Sequence, residues 1–403
     1  MRNATTKPHV AIACGGTGGH LFPGIAVAGQ LLRRDCEVTL LISQKEIDQQ
    51  AVKNISGMEI VALPAVGLGG NYFSFARGFA KSFLLAKKLF KKQKPQAALA
   101  MGGFTSAPPI LAAKFCGALA FLHESNTIPG RANRWLSRIV NRAFVGFPDT
   151  QKRLNTNRVS VTGTPVRPQF TACDPASCRA ALGLDPARPT LLVVGGSQGA
   201  TGINDLLVRT LPLLVKLLPQ LQFIHLTGAN DIEKVQRAYS EITSETFLAV
   251  IRPFLAEMEL ALAAATVAVS RAGASSLAEF AAMRTPAVLI PFPAATDNHQ
   301  FHNASAFERS GSAKLLEQSK ATPELLAQMI LEVVENQSAR ETMRTALAAR
   351  HKPNAAEEIA ENILSAIFRG ADSHVRANAP THETRGQSCP RSNEMERHEF
   401  SAV

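Results

Sequence analysis

The sequence predicts an α/β protein made of two Rossmann-like doubly wound domains facing each other across a cleft. Three observations carry this. A short apolar run, a glycine cluster and a helical pattern follow one another twice, at Val10–His20 and at Leu191–Gly199. Further apolar runs recur in each half, Val38–Ile42, Ala97–Met101 and Leu119–Leu122, then Phe223–Leu226, Val267–Val269 and Ala287–Ile290, with helical stretches between them. Such alternation reads as parallel sheet, because a parallel pair needs a crossover long enough to hold a helix. The length, 403 residues, also favours two cores over one.

In order along the chain, the strand Val10–Cys14 meets Gly15-Gly-Thr-Gly-Gly-His20, and Ile25, Val27, Ala28, Leu31 and Leu32 follow at helical spacing. The second opening runs Leu191–Val194, then Gly195-Gly-Ser-Gln-Gly199, then a helix through Ile203, Leu206, Leu207 and Leu211. A boundary falls at Gly163-Thr-Pro-Val-Arg167, where a short strand gives way to a linker containing Pro, Asp and Cys. The expected domains are therefore 1–165 and 166–352, with a last helix, 355–368, returning to pack on the first. Residues 371–403 are rich in Ser, Asn, His, Arg and Glu and read as a disordered tail.

Composition bounds the function. A net charge of +11 suits an anionic partner without choosing between nucleotide, lipid and nucleic acid. No recognised nucleic-acid module is present, so nucleic acid is not an expected partner. No uninterrupted apolar run is long enough to span a bilayer, and the N-terminal run is too short for a signal segment. The six cysteines form no CxxC pair and no histidine stands at metal-ligand spacing from them, so reduced thiols and no metal site are expected.

Glycine loops at strand ends can offer backbone N–H groups to an anion, and a helix N-terminus adds partial positive charge. Neither loop is a Walker A, and Leu21 stands where a third glycine of GxGxxG would fall. Each loop alone fits nucleotide contact or a tight turn. His20 fits a helix-capping role or the handling of a substrate proton. In residues 71–94, Phe75, Phe79, Phe83, Ala86 and Phe90 recur at helical spacing among Arg77, Lys81, Lys87, Lys88, Lys91, Lys92 and Lys94, with no acid. That pattern fits an interfacial helix on anionic lipid, and equally a core-facing helix with a solvated basic face.

Seven ordered stretches together resemble the MurG family, UDP-GlcNAc:lipid I N-acetylglucosaminyltransferases of family 28. They are Gly15–Gly24, Met101-Gly-Gly-Phe104, His123-Glu-Ser-Asn126, Gly163–Arg167, Gly195–Ala200, Arg271–Glu279 and Pro291–Gln300 leading to Asn303. The resemblance covers about residues 8–368 and departs in detail at Thr164, Ser125 and Ser276. It implies the GT-B fold and inverting β1→4 transfer of GlcNAc from UDP-GlcNAc to lipid I, giving lipid II, with no cofactor or essential metal. It places the acceptor and membrane in the first domain and the donor in the second.

On the first-domain side of the cleft His20 is the first candidate for the base, the alternative being that it only orients the acceptor or contacts phosphate, and the resemblance puts Asn126 beside the transferred sugar. Thr17, Gly18, Gly19 and Ser197 would contact the donor, and Arg167 the α-phosphate. Ala274, Ser275 and Ser276 would meet the diphosphate with their N–H groups, Glu279 the ribose, Leu255 the uracil through its backbone, and His299 and Gln300 the sugar. Phe75, Phe79, Phe83, Lys87, Lys88 and Lys91 would face the membrane, which implies a peripheral enzyme on the cytoplasmic face of the inner membrane. Other cell-wall synthesis proteins are further candidate partners. A diacylglycerol glycosyltransferase of the same fold would share the donor motifs, but Met101–Phe104 and His123–Asn126 favour the lipid I family.

Overall fold

The computed structural model describes residues 7–377 apart from Thr17, Asn54 and residues 65–71, 197–198 and 244–245. The first lobe runs β1 (His9–Ala13), α1 (Gly18–Leu32), β2 (Glu37–Ser43), α2 (Glu46–Val52), β3 (Glu59–Leu63), α3 (Tyr72–Gln93), β4 (Ala97–Ala100), α4 (Ala107–Phe115), β5 (Leu119–Glu124), α5 (Arg131–Leu136), β6 (Arg142–Val145) and β7 (Val159–Val161). The second runs α6 (Pro175–Ala181), β8 (Thr190–Val194), α7 (Thr201–Leu217), β9 (Gln222–Leu226), α8 (Ile232–Ser240), β10 (Ala249–Arg252), α9 (Met258–Ala264), β11 (Val267–Ser270), α10 (Ala274–Met283), β12 (Ala287–Leu289), α11 (His299–Arg309), β13 (Lys314–Leu315), α12 (Pro323–Glu335) and α13 (Gln337–Arg350), before α14 (Ala355–Ala377).

Both sheets are parallel. Their orders are β3-β2-β1-β4-β5-β6-β7 and β10-β9-β8-β11-β12-β13. Each therefore reverses direction of winding beside its first strand, the doubly wound topology that the sequence predicts. Helices cover both faces, so the central strands are apolar on both sides. In β1, Val10 and Ile12 pack with Leu21, Val27 and Leu31. Ala11 and Ala13 pack on the other face, with Phe90 and Ile110. The strands that the apolar runs did not reveal are β3, β6, β10 and β13. Glu59, Arg142, Arg252 and Lys314 stand at their ends and interrupt the pattern.

Ala356, Ile359, Ala360 and Ile363 of α14 join the α1-side core of the first lobe at helical spacing, while Arg34 pairs with Glu357 and Glu361 at 2.6 and 2.9 Å. The helix continues to Ala377, past the end at Phe368 and into residues assigned to the tail from 371. No proline stands between Gly370 and Ala377, and extending a formed helix is cheap compared with starting one. Residues 378–403, the rest of the predicted tail, lie outside the described residues.

Close packing of α1 on β1 requires glycine at position 24. A β-carbon there would lie 2.6 Å from the Cys14 β-carbon and 3.2 Å from Met101. Gly24→Ala is expected to lower the unfolding free energy by about 1–3 kcal/mol through overpacking, measured by urea titration followed by circular dichroism. An unchanged midpoint would contradict this packing.

Candidate active site

Sheet order reverses between β1 and β4 in the first lobe and between β8 and β11 in the second. The loops that leave the carboxyl ends of those strands splay apart there and open a crevice. They are the glycine loop before α1, Gly102-Gly103, the glycine loop before α7, and the turn into α10.

The first glycine loop is held rigidly from behind. A β-carbon at Gly15 would lie 2.1 Å from the Ser43 backbone nitrogen. Gly16, at φ +114°, donates its N–H to the buried Asp48 carboxylate of α2 at 2.6 Å. Thr105 Oγ1 donates to the Gly15 carbonyl at 2.7 Å and Lys45 Nζ to that of Gly16 at 2.9 Å. A loop expected to turn its N–H groups to an anion thus commits Gly16 to a carboxylate instead. Thr17 lies outside the described residues, and Gly18 and Gly19 open α1.

His20 sits inside the first turn of α1, partly buried, with its ring against Gly102 and Gly103. Both glycines have positive φ, and a β-carbon at Gly102 would come within 2.6 Å of the imidazole. The Met101-Gly-Gly-Phe104 motif is therefore the space in which the imidazole lies. Burial lowers its pKa below the ordinary histidine value, opposed by the Glu124 charge. His20 is then neutral at neutral pH, and its buried Nδ1 has no hydrogen-bond partner among the described residues. A neutral imidazole can accept a proton.

Asn126 follows β5. Its N–H and Nδ2 both donate to Glu124 Oε1, at 2.9 and 3.0 Å. The other oxygen of Glu124 accepts from Gly130 N and Asn133 Nδ2, both at 2.9 Å. One buried carboxylate thus fixes the loop from 124 to 133. His123 reaches the Gly163 carbonyl at 2.9 Å, and burial lowers its pKa to about 4. It is a neutral structural histidine that ties β5 to the turn after β7. From the opposite lobe, Asn303 Nδ2 donates to Asn126 Oδ1 at 3.0 Å.

The second-lobe wall is the N-terminus of α10. Ala274, Ser275 and Ser276 form its first turn, and Ser275 Oγ donates across the cleft to the Gly19 carbonyl at 2.8 Å. Arg271, just before it, donates to the Ile290 and Pro291 carbonyls at 3.0 and 3.1 Å, tying the turn to the loop after β12. Gln300 Oε1 accepts from Ala272 N at 3.2 Å and Phe292 N at 3.0 Å, so its carboxamide is fixed beside the same turn. His299 Nδ1 meets the Thr296 carbonyl at 2.8 Å, in the turn before α11. Leu255 is buried in the second-lobe core, and Ser197 lies outside the described residues.

Arg167 and Glu279 are brought together as an ion pair at 3.6 Å. The guanidinium lies over Phe22 of α1 at 4.2 Å and over Phe170 at 4.8 Å, and its buried Nε has no partner among the described residues. Burial pushes the Glu279 carboxyl up to about 7 even though Arg167 pulls it down. Among the described residues no group of three or more His, Cys, Asp and Glu side chains is placed to hold a metal ion.

On α3 the phenylalanines expected at the membrane, Phe75, Phe79 and Phe83, are half-buried. Phe79 and Phe83 pack on the first-lobe core with the buried Ala86 and Phe90, and Phe75 lies 6.0 Å from both Phe79 and Phe104. The stripe is fully buried only toward the C-terminal end of the helix, at Ala86 and Phe90, while Phe83 meets Phe115 of α4 edge-on at 6.4 Å. The exposed apolar side chains are instead Phe73, Leu84 and Leu85, with Phe115 of α4 beneath Lys87 Nζ at 3.7 Å. Lys88 and Lys91 are exposed on the same helix. No described helix is long and apolar enough to cross a membrane.

Several residues that hold this site escaped the sequence reading. Glu124 and Asn303 lay inside quoted motifs, but nothing local showed what they bond. Asp48 sits in a polar helix with no distinguishing pattern, and Phe22 reads as an ordinary core residue.

Known proteins resemble this chain along most of its length. Residues 10–145 match the glycosyltransferase family 28 N-terminal domain and residues 190–359 the family 28 C-terminal domain. A relative from Anaeromyxobacter sp. (strain K) is 33% identical over 366 residues, covering 89% of this chain and 93% of the relative. One from Syntrophus aciditrophicus is 34% identical, covering 89% and 98%. Both are named UDP-N-acetylglucosamine--N-acetylmuramyl-(pentapeptide) pyrophosphoryl-undecaprenol N-acetylglucosamine transferase. The crystal structure of Acinetobacter baumannii MurG superposes with a TM-score of 0.70 at 28% identity, covering 89% of this chain and 99% of that one. A Neisseria meningitidis UDP-GlcNAc 2-epimerase, at 14% identity and a TM-score of 0.65, shares the fold. Matched through both of the family's domains and by relatives a third identical to it, the chain belongs to glycosyltransferase family 28.

Proposed function

We propose that the chain transfers N-acetylglucosamine from UDP-GlcNAc to the 4-hydroxyl of N-acetylmuramic acid in undecaprenyl-pyrophosphoryl-MurNAc-pentapeptide, converting lipid I to lipid II in peptidoglycan synthesis. The observation that carries this is the activity named for relatives that match the chain through both lobes at 33–34% identity. The first lobe takes the acceptor and the second the donor.

The chemistry follows from the cleft. The departing UDP carries the developing charge, which preorganised donors must meet. The N–H groups of Ala274, Ser275 and Ser276 at the α10 N-terminus supply them, with the helix dipole behind. Arg167 turns from Glu279 to the α-phosphate, and Glu279 then accepts from the ribose hydroxyls. Leu255 meets the uracil through its backbone, and His299 and Gln300 hold the sugar. His20 removes the proton from the acceptor hydroxyl as its oxygen attacks the anomeric carbon from the face opposite UDP, which inverts that centre. Asn126 steadies the sugar in flight.

The exposed Phe73, Leu84, Leu85 and Phe115, ringed by Lys87, Lys88 and Lys91, rest on the anionic inner face of the membrane where the acceptor is anchored. Each cation there adds roughly 1 kcal/mol. The enzyme is then peripheral, on the cytoplasmic face of the inner membrane.

Purified protein supplied with UDP-GlcNAc is expected to turn over lipid I and to leave diacylglycerol untouched. Turnover of diacylglycerol alone would overturn the proposal. The Glu279 carboxyl, pushed up to about 7 by burial, gives a second test. Ribose hydroxyls bond the ionised carboxylate, so affinity for UDP-GlcNAc should rise as pH climbs through about 7 and level off above it. The sugar nucleotide is the ligand to use, since its diphosphate does not titrate near neutrality. Glu279→Gln should flatten this dependence and weaken binding about tenfold or more. A flat profile in the unaltered protein, measured by calorimetry, would contradict the assigned role of Glu279.

A further inference from the structure

Asn303 lies on α11, fully buried, three residues beyond Gln300. Its Oδ1 accepts from Thr127 N and Thr127 Oγ1, both at 2.9 Å. Its Nδ2 donates to Asn126 Oδ1 at 3.0 Å and to the Ala272 carbonyl at 3.1 Å. A carboxamide has two lone pairs and two N–H bonds to offer, and all four are in use here. Three reach the first lobe and the fourth reaches the turn that leads into α10.

From this geometry we infer that Asn303 is a positioning residue for the transfer: it sets the Asn126 carboxamide from the opposite lobe, so the acceptor side is in order only while joined to the donor side. The inference rests on the transferase reading above. Asn126 Nδ2 already points to Glu124 Oε1 at 3.0 Å. Glu124, which only accepts, fixes which end of that amide is the nitrogen. The Asn303 donor holds the oxygen end as well, and two points of attachment leave the plane of the carboxamide no freedom to tilt. The same Asn303 N–H group that orients Asn126 belongs to an amide whose other N–H holds Ala272, two residues before the phosphate-facing turn. Lobe closure and the orientation of Asn126 are thereby one event.

Asn303→Asp separates this role from simple support. It keeps both acceptor positions for Thr127 but sets a carboxylate oxygen against Asn126 Oδ1 and the Ala272 carbonyl, where donors stood, while Arg271 and Gln300 still hold the turn into α10. Steady-state kinetics with lipid I and UDP-GlcNAc, together with UDP-GlcNAc affinity by calorimetry, should be measured for the unaltered protein, Asn303→Asp, Asn126→Ala and the double variant. The expected result is a fall in kcat of about 30- to 100-fold in Asn303→Asp, the scale of a misplaced catalytic contact, with KM and affinity for UDP-GlcNAc within about threefold. In the Asn126→Ala background the same change should cost less than about threefold, because the group through which it acts is gone. Asn303→Ser, smaller and uncharged, carries the same comparison if Asn303→Asp does not fold.

Losses that multiply in the double variant would overturn the inference, as would a kcat in Asn303→Asp within threefold of the unaltered protein. So would kcat and donor affinity falling in proportion, the mark of a merely structural part. Absence of lipid I turnover by the unaltered protein would instead remove the transferase reading, and the inference with it.

Discussion

The register of the two cleft walls depends on a polar seam where the lobes meet. Asn303 enters the first lobe from α11 and bonds Thr127 and Asn126, while Ser275 enters from α10 and bonds the Gly19 carbonyl. Such bonds are strong when shielded from water and readily replaced by it when parted. A seam of this kind holds a defined closed arrangement without sealing it, which suits two lobes that must admit a nucleotide. The exposed interlobe ion pairs, Arg134 with Asp297 and Arg309 with Asp149, add little, since solvent screens them. Orientation comes from the buried amides.

The two walls of the cleft use similar backbone for different ends. In the first lobe, glycine supplies room: Gly102 and Gly103 admit the His20 ring, and Gly15 admits the Ser43 backbone. The Asp48 carboxylate beneath Gly16 makes that loop a poor seat for an anion. In the second lobe, Gly273 leads into α10, whose first turn carries no acidic side chain. The partial positive charge of that helix end is therefore left to a ligand. Arg167, lying between Phe22 and Phe170 and joined to Glu279, stands where the lobes converge. The asymmetry supports a donor phosphate on α10 and a proton acceptor on α1.

Much of this was legible in the sequence, and the exceptions have physical causes. The repeated strand–glycine–helix openings predicted both sheets, because periodicity and glycine position are local properties. Strands β3, β6, β10 and β13 were hidden because polar residues at their ends break short apolar runs. Arg167, Glu279 and His20 were named from motifs, but their mutual contacts were not, since the Arg167–Glu279 pair joins residues far apart in sequence. Asp48 and Asn303 act through hydrogen bonds to residues far along the chain, and Glu124 through bonds to a loop whose path no periodicity records. The α3 stripe left two readings open for a related reason: a helix pattern gives the apolar face but not what covers it, and here Phe90 is buried in the core while Phe79 and Phe83 are half covered.

A crystal structure of the protein with UDP-GlcNAc bound would test the central claim most directly. Diphosphate oxygens should lie at hydrogen-bonding distance, about 3 Å, from the N–H groups of Ala274–Ser276, with Arg167 turned to the α-phosphate and Glu279 on the ribose. A diphosphate seated instead on the Gly15–Gly19 loop, with Arg167 still paired to Glu279, would contradict it.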